Sequence, residues 1–453
     1  MLINSRFANF LSFEDLTEFS MVKGKSKQHI DHVVENPDLN ISTLKFSAVY
    51  GANGAGKSNF IKAIKFAKNL ITKNEFESSD RDSFCRINNI NKDKNTDFEF
   101  ELLLNDNVYS YGFSINLYNK VFEREWLYLI SNNKEVEIFT YDRETQKINL
   151  PHLVKSKNTE LRFKIYKEDY LSQNNLNKTL FLYFINSGKS KLIDDKNIHL
   201  NALNEIFQWF KNSLDIIQPN SQPKQALTYL VDSDTSSIEN FLNDFGTGIN
   251  KICKSELSLE DIYSKEDKNF IDFVKSDVEE KLKNKDEESL SVMLKTKKDF
   301  YLAKVNKVDQ LNFKIEWFTF KFSSNNQTEY SLGELSDGTI RLIELFAILN
   351  NRKNMTFIVD ELDRSLHPNL TFNFIKYFLN QDQNSQLIVT THEDRILDLN
   401  ILRRDEIWFV EKDENGSSRL YSLEKYKIRF DQDVMKAYLD GRYGSIPKFK
   451  FLK

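Results

Sequence analysis

Alternation of apolar and polar positions predicts strands in several parts of the chain. Residues 1–20 hold two short aromatic pieces, around Phe7 and Phe13, which indicate a strand and its return. Between residues 97 and 142, four strand-like runs are separated by turn-rich spacers, and this pattern predicts an antiparallel meander. Residues 313–322 alternate again and predict a further strand.

The segments on either side of these strands follow a different pattern of apolar and polar residues. The short apolar run 44–50 enters a glycine-rich loop, and helical spacing of apolar residues begins after Ser58. Residues 332–411 follow the order loop, helix, strand, helix, strand, which is typical of a parallel α/β core. Residues 21–40 are polar and predict a loop, whereas residues 160–310 are mostly helical in character and end in a Lys/Glu-rich stretch near 254–298.

We therefore predict an α/β protein with a split P-loop nucleotide-binding core, an antiparallel β meander and a mainly helical inserted lobe. The first segment, 1–159, carries the glycine-rich loop and the meander. The second segment, 160–310, is the insertion, and the third, 311–453, completes the core.

Composition narrows the class of protein. The 453 residues carry a net charge of −4, which argues against a broad electrostatic affinity for nucleic acid, although a local basic groove would still allow it. Cys85 and Cys253 lie far apart, so we expect neither a disulfide framework nor a cysteine zinc site. The chain has no run of about 18 apolar residues and no signal-peptide layout at its start, so we expect a cytoplasmic protein without a membrane segment.

The glycine-rich loop fits the pattern G-x-x-x-x-G-K-[S/T]. In such a loop, glycines let the backbone amides point at phosphate groups, helped by the following helix N-terminus. Lys57 is expected to reach the β- and γ-phosphates, and Ser58 to offer a hydroxyl to Mg²⁺. The residues predicted to bind the nucleotide here are Gly51, Asn53, Gly54, Gly56, Lys57, Ser58 and Asn59.

Two acids follow the apolar strand Phe357-Ile-Val. Asp360 is predicted to join Ser58 in the magnesium shell. Glu361 is placed to activate the attacking water as a general base. An Asp-Glu pair after a strand is common by chance, but this pair occurs where a parallel core requires it.

The segment Leu335-Ser-Asp-Gly-Thr339 resembles the signature motif of ABC-type ATPases, in the form seen in SMC-like and RecF-like proteins. The resemblance implies that Ser336, Asp337 and Gly338 bind the γ-phosphate of ATP held by a second protomer. An ordinary serine cap on a helix is the alternative interpretation. Asp363 resembles the D-loop aspartate and would then lie across a dimer interface, and His392 resembles the switch histidine that contacts the γ-phosphate and the attacking water.

The C-terminal segments 402–411 and 438–447 resemble a subgroup of bacterial ABC-type, AAA-family ATPases. Several members act as the ATPase of anti-phage or abortive-infection systems, of which the AbiL-, Septu- and PARIS-type systems are examples. The resemblance implies a homodimer or a higher even-numbered homo-oligomer that uses ATP and Mg²⁺. It also implies a separate effector partner, either a nuclease or a toxin.

Two other functions compete with this one. A RecF- or SMC-like DNA-binding repair ATPase is the first, and the acidic balance and the absence of a long coiled-coil arm argue against it. A transporter's ATPase subunit is the second, and the split core with a large insertion does not suit it. A nuclease within this chain is not expected, because the sequence has no cluster of histidines and asparagines typical of one.

Two positions stay open. ABC-type ATPases often have a Q-loop glutamine that completes the magnesium shell, and the first glutamine after Ser58 is Gln146, in or just beyond the meander. Either Gln146, another side chain or water takes that place. His29 and His32 could ligate a metal from a helix, but no third ligand is evident, so solvated histidines are favoured.

Overall fold

The computed structural model describes most of the chain, namely residues 1–131, 134–151, 164–165, 167–171, 179–187, 198–219, 227, 230, 234–257, 261–262, 272, 276, 289–295, 299–306, 313–323, 325–349, 354–381, 384–427 and 433–446. The chain divides into two compact units. The first contains Met1–Gln218, Arg352–Leu362 and Phe372–Lys453, and the second contains Pro219–Asn351 and Asp363–Thr371. These limits differ from the predicted boundaries after 159 and 310.

The first unit contains a six-stranded sheet. In sheet order its strands are β11 (Leu214–Ile217), β17 (Thr356–Val359), β18 (Gln386–Thr390), β5 (Phe46–Gly51), β19 (Ile407–Lys412) and β20 (Ser418–Ser422). Neighbours from β11 to β19 run parallel, and β20 pairs antiparallel with β19. Every residue of β5, β17 and β18 is buried, as expected for parallel strands covered on both faces. Strands from both ends of the chain therefore form one sheet, which confirms the predicted split α/β core.

A second, antiparallel sheet of seven strands belongs to the same unit. In sheet order its strands are β10 (Lys147–Asn149), β9 (Lys134–Asp142), β8 (Val121–Ser131), β7 (Asn107–Asn116), β6 (Thr96–Leu104), β1 (Leu2–Ala8) and β2 (Thr17–Ser20). Burial alternates along β6, as the period of two requires. The predicted meander and the predicted N-terminal strand and return are both confirmed.

The polar region 21–40 differs from its prediction as a loop. It contains strand β3 (Val33–Asn36), which pairs with β4 (Ile41–Leu44), and short 3₁₀ turns before and after β3. The apolar pair Val33-Val34 is too short to stand out among polar neighbours, although β-branched residues favour strands.

Several α-helices accompany these sheets among the described residues. They are α1 (Lys57–Lys73), α2 (Phe181–Ser187), α3 (Ile198–Gln208), α6 (Pro368–Leu379) and α7 (Val434–Leu439). Helix α1 buries Phe60, Ile64, Ala67 and Ile71, which recur at the spacing of one helical face. The ring of Phe60 lies 5.0 Å from that of Phe19 on β2, so this face is anchored to the antiparallel sheet. Packing of α1 thus fixes the loop that precedes it.

The second unit holds an antiparallel sheet of five strands. These are β12 (Ile249–Leu257), β15 (Phe313–Phe322), β14 (Phe300–Asn306) and β13 (Ser289–Lys295), with β16 (Asn325–Ser331) also paired to β15. Its helices among the described residues are α4 (Ser236–Asp244) and α5 (Asp337–Leu349). The rings of Phe241 and Phe346, one on each helix, lie 5.3 Å apart.

The prediction of a mainly helical region 160–310 is therefore only partly right. Helices α2, α3 and α4 lie within it, but β11, β12, β13 and β14 are strands, and β11 belongs to the parallel sheet of the first unit. The sequence of β13 carries apolar residues at alternate positions, 290, 292 and 294, and the many charges nearby obscured this period of two. Within the described residues, no helix is both long enough and apolar enough to cross a membrane.

Candidate functional site

The glycine-rich loop joins β5, in the middle of the parallel sheet, to helix α1. Gly54 and Gly56 have φ angles of +75° and +123°, a region that side-chain-bearing residues rarely adopt. A Cβ atom on Gly51 would lie 2.5 Å from the carbonyl oxygen of Val410 on the neighbouring strand. Glycine is therefore required at these three positions for the loop to curl between strand and helix.

Lys57 begins helix α1, and its side chain is buried. Its ammonium group donates hydrogen bonds to the carbonyl oxygens of Gly51 (2.8 Å) and Ala52 (3.3 Å). The positive charge is thereby held within the curl of the loop, where backbone amides and the helix N-terminus also favour an anion.

Asp360 directly follows β17 and is 3% exposed. Its Oδ1 accepts hydrogen bonds from the hydroxyl of Ser58 (3.3 Å) and from that of Thr390 (2.6 Å). Its backbone amide donates to the carbonyl oxygen of Ile217, at the end of β11 (2.9 Å). The two predicted magnesium ligands, Ser58 and Asp360, are therefore brought into contact.

Glu361 adopts a left-handed backbone conformation with φ of +51°, which is uncommon for a residue other than glycine. Its amide donates to the Thr390 hydroxyl (2.8 Å), the same group that donates to Asp360. One threonine hydroxyl thus fixes the positions of both acids. Thr390 was not among the predicted site residues, although it ends the strand that leads to His392.

His392 lies two residues beyond the end of β18, which is the strand between β5 and β17. The carboxyl ends of parallel strands meet at one edge of a sheet, so His392, the glycine-rich loop and the acids Asp360 and Glu361 share that edge. The side chain of His392 is exposed there.

Two serines that were not predicted to belong to the site form hydrogen bonds that stabilise the loop. The Ser418 hydroxyl donates to the carbonyl oxygen of Ala55 (2.6 Å) and lies 2.8 Å from the hydroxyl of Ser12. Asn59, predicted to bind nucleotide, donates its amide hydrogen to that Ser12 oxygen (2.8 Å). Asn53 is exposed at the tip of the loop.

The signature-like segment belongs to the second unit. The Ser336 side-chain oxygen accepts a hydrogen bond from the amide of Thr339 (3.2 Å), so it caps helix α5, as the alternative interpretation expects. Ser336 and Asp337 are both exposed. A Cβ atom on Gly338 would lie 2.7 Å from the carbonyl oxygen of Ser365, so the segment around Asp363 passes close to the start of α5.

Two glutamines can be compared for the Q-loop position that the sequence left unassigned. Gln146 is exposed in the turn between β9 and β10, at one edge of the antiparallel sheet. Gln218 instead directly follows β11, the parallel neighbour of β17, and accepts a hydrogen bond from the Lys65 ammonium. Burial lowers the pKa of Lys65 below its usual value. Gln218 is therefore one strand away from Asp360, at the same edge of the same sheet.

The donor groups fit a magnesium nucleotide. The loop has two glycines at positive φ, a lysine that is hydrogen-bonded to a loop carbonyl oxygen, and a helix that begins directly after it. Such a loop can surround a phosphate with hydrogen-bond donors. The Ser58 hydroxyl and the Asp360 carboxylate supply hard oxygen ligands, which Mg²⁺ prefers.

Comparison with known proteins gives a family. The profile described as "AAA domain, putative AbiEii toxin, Type IV TA system" matches residues 46–398. This range spans the glycine-rich loop, both acids and His392. No curated protein matches the chain.

Several solved structures are similar to the chain. The SMC head domain from Thermotoga maritima is 13% identical, with a TM-score of 0.37, and the match covers 94% of this chain and 99% of that one. An SmcHead bound to the C-winged helix domain of ScpA is 14% identical, with a TM-score of 0.40, covering 93% and 97%. An Smc head domain with an extended coiled coil, bound to the C-terminal domain of ScpA derived from Pyrococcus furiosus, is 13% identical, with a TM-score of 0.36, covering 97% and 99%.

Proposed function

Because the chain belongs to the family described as AAA domain, putative AbiEii toxin, Type IV TA system, we propose that it binds and hydrolyses ATP as a dimeric switch controlling a separate effector protein. The observation that carries the proposal is the contact of the Ser58 hydroxyl with the Asp360 carboxylate at the edge of three adjacent parallel strands. That contact joins the phosphate-binding loop to the acids that hydrolysis needs.

In this proposal, the loop binds the phosphates and the edge of the sheet performs the chemistry. Lys57 exchanges its carbonyl partners for the β- and γ-phosphates, and Ser58 and Asp360 hold Mg²⁺. Bound Mg²⁺ supplies a positive charge that offsets the charge developing on the phosphate oxygens. Glu361 orients the attacking water and takes up its proton, while His392 donates a hydrogen bond to the γ-phosphate.

The second copy of the chain completes the site in this proposal. Ser336 and Gly338 of one protomer contact the γ-phosphate held by Lys57 of the other, and Asp363 lies near the interface between them. The exposure of Ser336 and Asp337 at the start of the 13-residue helix α5 supports this role, because amides at a helix N-terminus attract anions. A monomer would then hydrolyse ATP slowly, since part of the charge stabilisation comes from the partner.

We further propose that Gln218 is the Q-loop glutamine that contacts the magnesium shell. Its place beside Asp360, at the end of the neighbouring parallel strand, supports this role. The position of Gln146 in an exposed turn does not support it for that residue.

Gln218→Ala is expected to lower the rate of ATP hydrolysis by about 10–100-fold and to raise the Mg²⁺ concentration needed for half-maximal rate, as losses around metal sites typically do. Steady-state hydrolysis measured across a Mg²⁺ titration tests this. Gln146→Ala is the matched control and should behave as the wild type. Equal Mg²⁺ dependence of all three proteins would remove Gln218 from the site.

The effector part of the proposal places the chain in anti-phage defence, with a nuclease or toxin as partner. The family description, which names a putative AbiEii toxin and a type IV TA system, supports this setting. We expect a neighbouring gene to encode the effector, and cells carrying both genes to resist phage.

Lys57→Ala should reduce that resistance to the level of cells without the genes, because the phosphates lose their main cation. Plaque counts on cells with wild-type or variant genes measure the effect, and Lys62→Ala, at an exposed position on α1, serves as the control. Full resistance with Lys57→Ala would contradict control of the effector by ATP.

A further inference from the structure

Three groups that could ligate a metal ion lie together just before β3, away from the residues discussed above. One ligand atom each from His29, Asp31 and His32 lies within 4.8 Å of the others. Solvated histidines were the favoured prediction here, and for His32 this prediction is wrong, because the residue is only 5% exposed. The third ligand, which was not evident from sequence, is the carboxylate of Asp31 between them.

In each imidazole, the hydrogen bond made by one ring nitrogen decides which nitrogen carries the hydrogen. His29 Nε2 lies 3.0 Å from the carbonyl oxygen of Leu399, which can only accept, so Nε2 carries the hydrogen and Nδ1 keeps a lone pair. His32 Nδ1 lies 3.0 and 3.2 Å from the two carboxylate oxygens of Glu406, so Nδ1 is the donor and Nε2 keeps a lone pair. Each ring thus has one nitrogen free to ligate.

The free nitrogen of His32 faces another acceptor. Its Nε2 lies 3.8 Å from Oδ2 of Asp31, and the rings of His29 and His32 are stacked with centroids 5.0 Å apart. A cation bound by both of these electron-rich atoms would replace their weak repulsion by attraction. A metal ion would be such a cation.

The groups behind the cluster are held firmly. Glu406 is completely buried, and its Oε2 also accepts a hydrogen bond from the amide of Arg403 (2.7 Å). The Arg403 guanidinium pairs with Asp405 and donates to the carbonyl oxygens of Ser26 and Gln28, in the loop that leads into the cluster. A buried carboxylate or carbonyl behind each ligating histidine is the usual outer shell of a protein zinc site.

We propose that His29, Asp31 and His32 bind one Zn²⁺ ion. Ligands bonded at about 2.0–2.2 Å in a tetrahedron lie roughly 3.4 Å apart, so separations of up to 4.8 Å need to close by about 1.4 Å at most, with the stacked rings tilting so that both free nitrogens point at the ion. Asp31 has 69% of its side chain exposed, which gives the ion a path of entry and leaves water as the fourth ligand. Bound Zn²⁺ would join three residues of the loop 24–32, whose two histidines also contact Leu399 and Glu406.

The test is zinc binding by the full chain without nucleotide, in excess Mg²⁺ so that the oxygen site at Asp360 does not compete. We expect one Zn²⁺ per chain by competition with a chromophoric chelator, and a tetrahedral visible absorption band with Co²⁺ as the probe. Asp31→Asn and His29→Asn should each weaken zinc binding at least about tenfold and abolish the Co²⁺ band. Asparagine is chosen at position 29 because it tolerates the φ of +45° found there.

The control is Asp38→Asn, which removes another exposed carboxylate from the same region and should bind Zn²⁺ as the wild type does. Thermal unfolding in a chelator checks that all variants fold, and Zn²⁺ should then raise the melting temperature of the wild type and of Asp38→Asn alone. If the wild type binds no Zn²⁺, the proposal fails. Tight binding that survives in both cluster variants would also overturn it, because the ion would then sit elsewhere.

Discussion

Replacing Glu361 with glutamine is expected to slow ATP hydrolysis by about 10²–10⁴-fold while ATP binding stays unchanged, because a carboxamide cannot take up the proton of the attacking water. Glutamine has nearly the shape of glutamate. The hydrogen bond to the Thr390 hydroxyl comes from the backbone amide of residue 361, so the substitution retains it. Asp360, Ser58 and Lys57 keep their places, so the phosphates and Mg²⁺ lose no ligand.

Single-turnover hydrolysis gives the rate, and a fluorescent ATP analogue gives the affinity. The slow variant should also accumulate as an ATP-bound dimer, visible as a change in mass by light scattering with ATP and Mg²⁺. Glu414→Gln, an exposed acid in the turn between β19 and β20, is the matched control and should hydrolyse normally. Hydrolysis by Glu361→Gln at the wild-type rate would mean that another group is the base.

Mixing two inactive variants is expected to restore activity if the site is shared between protomers. Lys57→Ala removes the phosphate lysine, and Ser336→Ala removes the signature hydroxyl, so each variant alone should lose nearly all hydrolysis. In a mixed dimer, one site combines an intact Lys57 with an intact Ser336, and the other site has neither. With random pairing, half of the dimers are mixed and each has one of two sites, so about a quarter of wild-type activity should return.

Steady-state hydrolysis across mixing ratios measures this, with the maximum expected at equal amounts. The control mixes Lys57→Ala with the double variant Lys57→Ala, Ser336→Ala, in which no intact site can form and no activity should return. If equal mixing of the two single variants gives only the sum of their separate rates, Ser336 does not act on the partner's nucleotide.

The parts of the site that sequence alone could predict are those that depend on neighbouring residues. The glycine spacing in residues 51–58 predicts the local backbone conformation, and two of these glycines do adopt a positive φ that disfavours other residues. The pair Asp360-Glu361 follows a short run that is buried throughout, so its strand was evident.

The parts that could not be predicted depend on which distant segments meet. Gln218 gains its position only because the four-residue strand β11 pairs with β17, which lies far along the chain. Thr390 has no distinctive sequence context, yet its hydroxyl contacts both acids. The strands β12–β14 were not predicted for another reason. Charged residues obscured their weak alternation of apolar and polar positions, and these strands are stabilised by pairing across the sheet.

The limits of the two units have a mechanical consequence. The chain leaves the first unit immediately after Gln218, and again after Leu362, two residues beyond Asp360. Both exits start from the carboxyl ends of β11 and β17, which are paired along their whole length. At both places only a few residues of chain join the edge that carries Asp360 to the second unit, so inserting flexible residues after Gln218 or after Leu362 would lengthen that connection without changing any side chain of the edge.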